Sequence, residues 1–169
     1  NGRGVFVEGT ATNISVESLD DISLDLTSIT TLDVRHESGA GGMVSTKAAS
    51  NVKIGYGGNV IGQDDLGDVD IFANGYLFQN QGTDVNSIEL YGGTCLFHGT
   101  DIVRATSAIY SGILTTKSSE RSNVDINGIK IYPRGILDVS DGPLTEFSSA
   151  ITSYGGTVIL GDGYSVAMS

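Results

Sequence analysis

The chain has 169 residues, of which 24 are glycine and 39% are apolar. Twenty acidic residues against nine basic ones give a net charge of −11, which disfavours binding to nucleic acids and to anionic membranes because their phosphate groups would be repelled. No apolar run is long enough to cross a bilayer, so membrane insertion is not expected, whereas cations, basic partners and neutral sugars remain possible ligands.

The first 50 residues contain short runs in which apolar residues occupy every second position. The runs cover residues 14–16, 22–26 and 32–34, and polar turns separate them. Such alternation predicts half-buried strands. Since the runs are spaced by about half of the later repeat, we predict irregular rungs of two strands each in residues 1–50.

From residue 51 onwards the chain repeats a simple pattern, in which a glycine is followed two positions later by an apolar residue. Including Gly42, successive glycines are separated by 16 to 23 residues, and apolar residues also precede each glycine. Each unit therefore predicts a strand, a glycine turn and a second strand. The pairs are Gly58 and Val60, Gly75 and Leu77, Gly93 and Cys95, Gly112 and Leu114, Gly135 and Leu137, and Gly156 and Val158.

A repeat of this length is typical of a solenoid, in which one unit buries its apolar face only by stacking on its neighbours. We predict an all-β, parallel β-solenoid of about eight rungs, with regular rungs in residues 51–169 and one domain over residues 1–169. The apolar residues that follow the glycines should form one inward column. A β-sandwich built from the same short strands is the alternative.

Tyrosine often stands two positions before the turn glycine, at Tyr56, Tyr91, Tyr110 and Tyr154, with Tyr132 one position out of phase. Stacked rungs would align these rings into a partial ladder along one corner. The ladder would either pack neighbouring rungs together beside exposed glycine backbone or offer a platform on which sugar rings stack. We favour packing and keep glycan binding as a second interpretation.

Two stretches carry the pattern most clearly, IELYGGTCLFHGT at residues 88–100 and ANGYLFQNQGT at residues 73–83, and residues 9–15 and 154–161 are similar. These stretches resemble the short repeats of AIDA-type autotransporter adhesins, with an apolar pair, Gly-Gly, a second apolar pair and a further glycine. The resemblance covers about two thirds of the chain, which departs from it in its irregular rung lengths and few Gly-Gly pairs. It implies a right-handed solenoid on a bacterial surface, used for adhesion or self-association and without catalytic residues. Phage fibres and other extracellular solenoids share the pattern.

Two acidic residues are the candidates for catalysis. Asp141 and Asp162 each lie six positions after a turn glycine, so adjacent rungs would place them about 4.8 Å apart, near the separation of a retaining carboxylate pair. Each is followed by glycine, as in common turns, and no Arg or Lys shares their register. We therefore expect no enzyme activity. A solenoid that binds or cleaves polysaccharides, such as a phage tailspike domain, is the alternative function.

Residues 63–70 contain four carboxylates, which could bind calcium, the one candidate cofactor. Their spacing fits neither an EF-hand nor a calcium β-roll, and we expect a solvated acidic turn. His36 and His98 lack nearby metal-ligand partners, so no transition-metal site is expected. Cys95 shares the repeat position of Val60 and should be a buried apolar side chain, because no cation accompanies it to make it reactive.

The expected function is structural or adhesive, in an extracellular assembly or at a cell surface, with copies of the chain or a flanking solenoid as partners and glycans as possible ligands. The chain begins at Asn1, so we expect a processed protein or an excised segment. Both ends still resemble strands, and a bare end rung exposes unpaired backbone groups. We predict end-to-end contact through Val5, Phe6 and Val7 at one end and Tyr164 and Val166 at the other.

Overall fold

The structure is a computed structural model that describes residues 5–17, 21–36, 42–80, 83–98, 102–116, 124–141 and 145–161. These residues contain fifteen β-strands and no helix, and therefore no helix that could span a membrane. The strands are β1 (Val5–Val16), β2 (Ile22–Arg35), β3 (Met43–Thr46), β4 (Ala49–Gly55), β5 (Asn59–Gly62), β6 (Leu66–Ile71), β7 (Tyr76–Gln79), β8 (Asp84–Phe97), β9 (Ile102–Val103), β10 (Ser107–Thr116), β11 (Val124–Ile126), β12 (Ile129–Val139), β13 (Thr145–Phe147), β14 (Ile151–Ser153) and β15 (Thr157–Leu160).

All of these strands belong to one sheet, and each pairing within it is parallel. Each strand pairs with those one turn earlier and one turn later, so the chain coils. This is the predicted parallel β-solenoid. It has about seven turns from Ile22 to Val158, and β1 adds one layer before them. A β-sandwich is excluded, because that fold is built from antiparallel sheets.

The coil has two long faces. Face A contains β3, β5, β7 and β15, the first parts of β1 and β2, and the last parts of β8, β10 and β12. Face B contains β4, β6, β9, β11, β13 and β14 together with the remaining parts of the long strands. The glycine turns join the end of face B to the start of face A in each turn.

The predicted inward column lies on face A and is confirmed. The register aligns Val60, Leu77, Cys95, Leu114, Leu137 and Val158 one above the other. The first five are fully buried, and Val158 is partly buried against the same core. A shared repeat position therefore does mean a shared side of the sheet. Cys95 is a buried member of this column, as predicted.

A second inward column closes the core from face B and ends next to the glycine turns. It contains Val34, Ile54, Ile71, Leu90, Ile109 and Ile131, all buried. On face B the strands alternate between buried and solvent-facing residues, which produces the period-two pattern seen in the sequence.

The glycines recur because adjacent turns approach each other too closely for a side chain. A Cβ added at Gly93 would lie 2.4 Å from the backbone oxygen of Gly75, and one at Gly75 would lie 2.6 Å from that of Ile54. Contacts under 3.0 Å with backbone are essentially never formed by a real Cβ atom. The same clash with the previous layer would occur at Gly58, Gly112, Gly135 and Gly156.

One inward position on face A holds polar side chains. Thr46, Gln79 and Thr116 are fully buried there. The Gln79 amide donates to the hydroxyl of Thr83 at 2.5 Å, and a Cβ at Gly62 would lie 2.1 Å from the Gln79 oxygen. Gly62 is therefore the residue that leaves room for the Gln79 side chain one turn later.

Candidate functional site

Five aromatic rings stack along the corner where face B ends. The centroid distances are 5.2 Å for Phe72 and Tyr91, 5.0 Å for Tyr91 and Tyr110, 4.6 Å for Tyr110 and Tyr132, and 5.0 Å for Tyr132 and Tyr154. The planes are inclined by only 8 to 20°. These distances match the strand spacing of about 4.8 Å, so the sheet itself sets the stacking distance. We call these five rings the ladder.

The members of the ladder are not all those that the sequence predicted, because the rings occupy a position counted from the buried strand residue and not from the glycine. Four of its members follow directly after buried residues of the second inward column, as Phe72 follows Ile71 and Tyr132 follows Ile131. Tyr154 follows Ser153, which pairs with Ile131 and takes the column position in the last turn. Tyr56 comes one position later, because Gly55 follows Ile54. Within the described residues Tyr56 stacks on no other ring.

The difference arises because the turns vary in length. The glycine lies three positions after the column residue at 90–93, 109–112 and 153–156, and four positions after it at 54–58, 71–75 and 131–135. Counting back from the glycine therefore selected Tyr56, placed Tyr132 one position out of phase and missed Phe72. Counting forward from the column position, which Ser153 occupies in the last turn, gives all five rings.

The ladder offers ring edges to solvent and few ring faces. Tyr91, Tyr110 and Tyr132 each have a ring stacked on both sides. Tyr91 and Tyr110 are nevertheless 42% and 36% exposed, so the exposed atoms belong to their edges and hydroxyl groups. A sugar ring stacks on an aromatic face, and within the ladder those faces are already covered. This geometry favours cross-turn packing for the central rings.

Acidic side chains lie beside the middle of the ladder. The Tyr91 hydroxyl donates a hydrogen bond to Glu89, and this bond together with burial raises the pKa of Tyr91 well above its ordinary value. The charge of Glu89 raises the pKa of Tyr110. Burial, followed by the charge of Glu89, raises the pKa of Asp70 one turn earlier. The centre of the ladder is therefore an acidic surface that disfavours anionic ligands.

A cavity of about 230 Å³ lies at the start of the ladder, one turn before Phe72. At this layer the position of the missing ring is occupied by Gly55, which pairs with Arg35 in the preceding layer. Only Phe72 lies within 4 Å of the point where a Gly55 Cβ would be, at 3.8 Å. The cavity is lined by Asp33, Arg35, Lys53, Gly55, Tyr56 and Phe72.

The four carboxylates of residues 63–70 do not converge. The Asp64 side chain accepts the backbone N–H of Asp65, whose own carboxylate accepts the backbone N–H of Asp84 at 2.9 Å. Hydrogen bonds from Ser87 and Asn86 one turn later lower the pKa of Asp68. Within the described residues no group of three or more His, Cys, Asp or Glu side chains could hold a metal ion.

The candidate catalytic pair cannot be assembled from the described residues. Asp141 is exposed just after β12, and Asp162 lies outside the described part of the chain. Of the residues predicted to form end-to-end contacts, some are likewise described and others are not. Val7 in β1 is 38% exposed, while Tyr164 and Val166 lie outside the described residues.

The outward side of face A is the second candidate surface. From β3 to β15 its two outward rows contain fourteen side chains, of which only Asp138 is charged. Ile61, Phe78 and Leu96 follow one another up one row, and Ile113 and Ile136 lie in the other. Ile113 is 37% exposed and Ile159 is 40% exposed, so this side faces solvent in the single chain.

Comparison with known protein families, with curated proteins and with solved structures finds no match. The likeness to AIDA-type repeats therefore stays an interpretation of the sequence. The ladder with its cavity and the outward side of face A are the two features from which function can be argued.

Proposed function

We propose that the protein is a non-catalytic structural solenoid that associates with copies of itself through the outward side of face A. The observation that supports this proposal is the near absence of charge on that side in a chain of net charge −11. Contiguous apolar surface of this kind commonly marks an interaction site.

A second copy is the partner that suits this surface best. Two molecules of charge −11 repel each other over most of their surfaces, but they can approach through faces that carry almost no charge. Two sheets pack face to face about 10 Å apart, with their side chains interdigitating. Three of the four residues are apolar in YLFQ of β7 and in TVIL of β15, a composition typical of strands covered on both sides.

Contacts between turns support a structural role. The Arg104 side chain forms ion pairs with Asp84 one turn earlier and with Asp65 two turns earlier. Lys47 pairs with Asp25 across adjacent layers, and Ser148 bonds to Asp125 in the same way. Together with the ladder, these contacts hold consecutive turns in one register and make the coil a stiff rod.

The location of such a rod is part of the proposal. Loops rich in Ser, Thr, Asn, Asp and Gly and the likeness to AIDA-type adhesin repeats support a cell surface or an extracellular assembly. End-to-end contact is a second mode of association. It is favoured by β1, which pairs along one edge with β2, while no other described strand pairs with its second edge. Val5, Phe6 and Val7 would lie in that contact.

The test compares two lysine substitutions by sedimentation velocity at micromolar concentration. Phe78→Lys places a charge in the middle of the outward side of face A. Thr30→Lys adds the same charge at an exposed position of β2 on face B and serves as the matched control. We expect the unchanged protein and the control to sediment as assemblies and Phe78→Lys to sediment as a 17.6 kDa monomer.

An unchanged protein that remains a monomer throughout this range would refute self-association. Assemblies that survive Phe78→Lys would refute the use of face A, and electron micrographs would then show whether the copies join end to end.

A further inference from the structure

The cavity at Gly55 borders one uncovered ring face of the ladder, that of Phe72. Phe72 stacks on Tyr91 on one side only, and its other side points toward the Gly55 layer, where Tyr56 lines the cavity but does not stack on Phe72. The rise between turns is about 4.8 Å, so one flat ring fits between Phe72 and the layer of Arg35. The cavity of about 230 Å³ is smaller than the pockets of roughly 300–1,000 Å³ that hold drug-sized ligands, and it suits a single ring.

The walls of the cavity are polar and mostly cationic. Arg35 donates from Nε to Asp33 at 2.8 Å and forms an ion pair with the same carboxylate. Lys53 lies exposed in the next layer, one turn before Asp70 in the same outward row, and its charge acts to lower the pKa of that carboxyl group, against the larger effect of burial. The lining of the cavity itself contains two cations, Arg35 and Lys53, and one carboxylate, Asp33.

A sugar ring matches this combination better than an aromatic ring does. A pyranose has an apolar C–H face, which can stack on Phe72, and hydroxyl groups around its rim, which can bond to Asp33 and Arg35. A carboxylate on the sugar would pair with the Lys53 ammonium group. An aromatic ring would leave these polar groups without ligand partners.

We propose that the gap at Gly55 binds one acidic pyranose, such as a uronic acid residue, stacked on Phe72 with its carboxylate at Lys53. Tyr56 bounds the site from the side, because the turn displaces its side chain from the ladder position. Within an acidic polysaccharide, the site would bind one uronic acid unit. This proposal does not depend on self-association of the protein.

The probe is methyl glucuronide, titrated into the protein and followed by the NMR shifts of backbone amides, with methyl glucoside as the neutral control. We expect shifts around Gly55 and Phe72 with the glucuronide and much weaker ones with the glucoside. Lys53→Gln should weaken glucuronide binding about tenfold, because a hydrogen bond to a charged group is lost. Lys130→Gln is the matched control, since Lys130 lies in the same outward row beside Tyr132, whose two faces are covered.

A second pair of variants tests the gap itself. Gly55→Tyr supplies the missing ring, so it should raise the melting temperature and abolish binding of the glucuronide. Gly55→Ala adds one methyl group at ordinary contact distance from Phe72 and should weaken binding less than Gly55→Tyr does.

Three results would overturn the proposal. Binding that survives Gly55→Tyr would place the ligand elsewhere. Equal losses in Lys53→Gln and Lys130→Gln would exclude the carboxylate contact. Displacement of the sugar by p-cresol at lower concentration than by glucuronide would show that the gap is built for an aromatic side chain.

Discussion

At the scale of single residues, two glycines two turns apart illustrate how space decides which substitutions the coil accepts. Gly93 lies against Ile71 and the backbone of Gly75, and an added Cβ would come within 2.3 Å of the Ile71 side chain. Gly55 faces the cavity, where an added Cβ would make only ordinary contact with Phe72. The turns thus contain repeat glycines that cannot accept a side chain, such as Gly93, and a glycine outside the repeat, Gly55, that can.

We predict that Gly93→Ala lowers the free energy of unfolding by about 1–3 kcal/mol, because the adjacent turns must move apart to admit the methyl group. Gly55→Ala is the control and should change it by less than about 0.5 kcal/mol. Urea denaturation of the three proteins gives the comparison. Equal midpoints for the two variants would mean that the turns can move apart at Gly93 without a loss in the free energy of unfolding.

The hydroxyl groups of the ladder should titrate late. Glu89 raises the pKa of Tyr91 and of Tyr110, so the folded protein favours their neutral form. Because these folded-state pKa values lie above the unfolded value of about 10, the interaction stabilises the fold below about pH 10 and is lost as the pH rises further.

We therefore predict that in Glu89→Gln part of the tyrosine ionisation, followed by tyrosinate absorbance, occurs at lower pH than in the unchanged protein. Alkaline unfolding of the variant should likewise begin at lower pH. Asp138→Asn removes a charge from face A, far from the ladder, and should leave the tyrosine titration unchanged. Superimposable curves for Glu89→Gln and the unchanged protein would contradict the assigned cause.

At the scale of elements, the ladder shows what a sequence pattern can and cannot supply. Recurrent Tyr residues predicted a stack of rings, since a parallel coil brings equivalent positions together at strand spacing. The membership was partly wrong because turn length varies by one residue, and only the strand register reveals which residue follows the buried position. The cavity at Gly55 was missed for the same reason, although Gly55 after Ile54, where the other turns have an aromatic residue, is a signal that the sequence does contain.

The position of a ring in the ladder should determine what its removal costs. Tyr110 stacks on two rings and Tyr154 on one, and each stacked pair contributes about 0.5–1.5 kcal/mol beyond its buried area. We predict that Tyr110→Ala destabilises the protein about twice as much as Tyr154→Ala, while Tyr110→Phe keeps the stacking and most of the stability. Urea unfolding measures all three, and equal losses for the two alanine variants would contradict additive stacking.

At the scale of the whole molecule, the inward column of face A could be predicted because each of its residues lies at a fixed offset of two positions after a turn glycine. The uncharged outward side of face A could not be predicted from the sequence. Strands β5, β7 and β15 are only four residues long, so each contributes two outward residues, too few to show a row by themselves. Only the stacked layers show that Ile61, Phe78 and Leu96 adjoin.

Association through face A should depend on salt in a distinctive direction. In the proposed assembly, copies that carry −11 each would meet through a nearly uncharged surface, so screening would remove repulsion without weakening the contact. We predict that raising ionic strength from low salt to about 0.15 M, where the Debye length is about 8 Å, strengthens self-association in sedimentation equilibrium. Weaker association at the higher salt would point to a contact between opposite charges on face B.

The parallel strand pairing between layers also determines how the molecule would respond to force. Neighbouring layers are joined by hydrogen bonds that run along the axis of the coil, so a load pulling the two ends apart acts on one layer at a time and peels it from the next. A load applied across the axis is instead shared by every strand of a face at once. A coil of this construction should yield gradually when it is stretched along its axis and should resist more strongly when it is sheared across the axis.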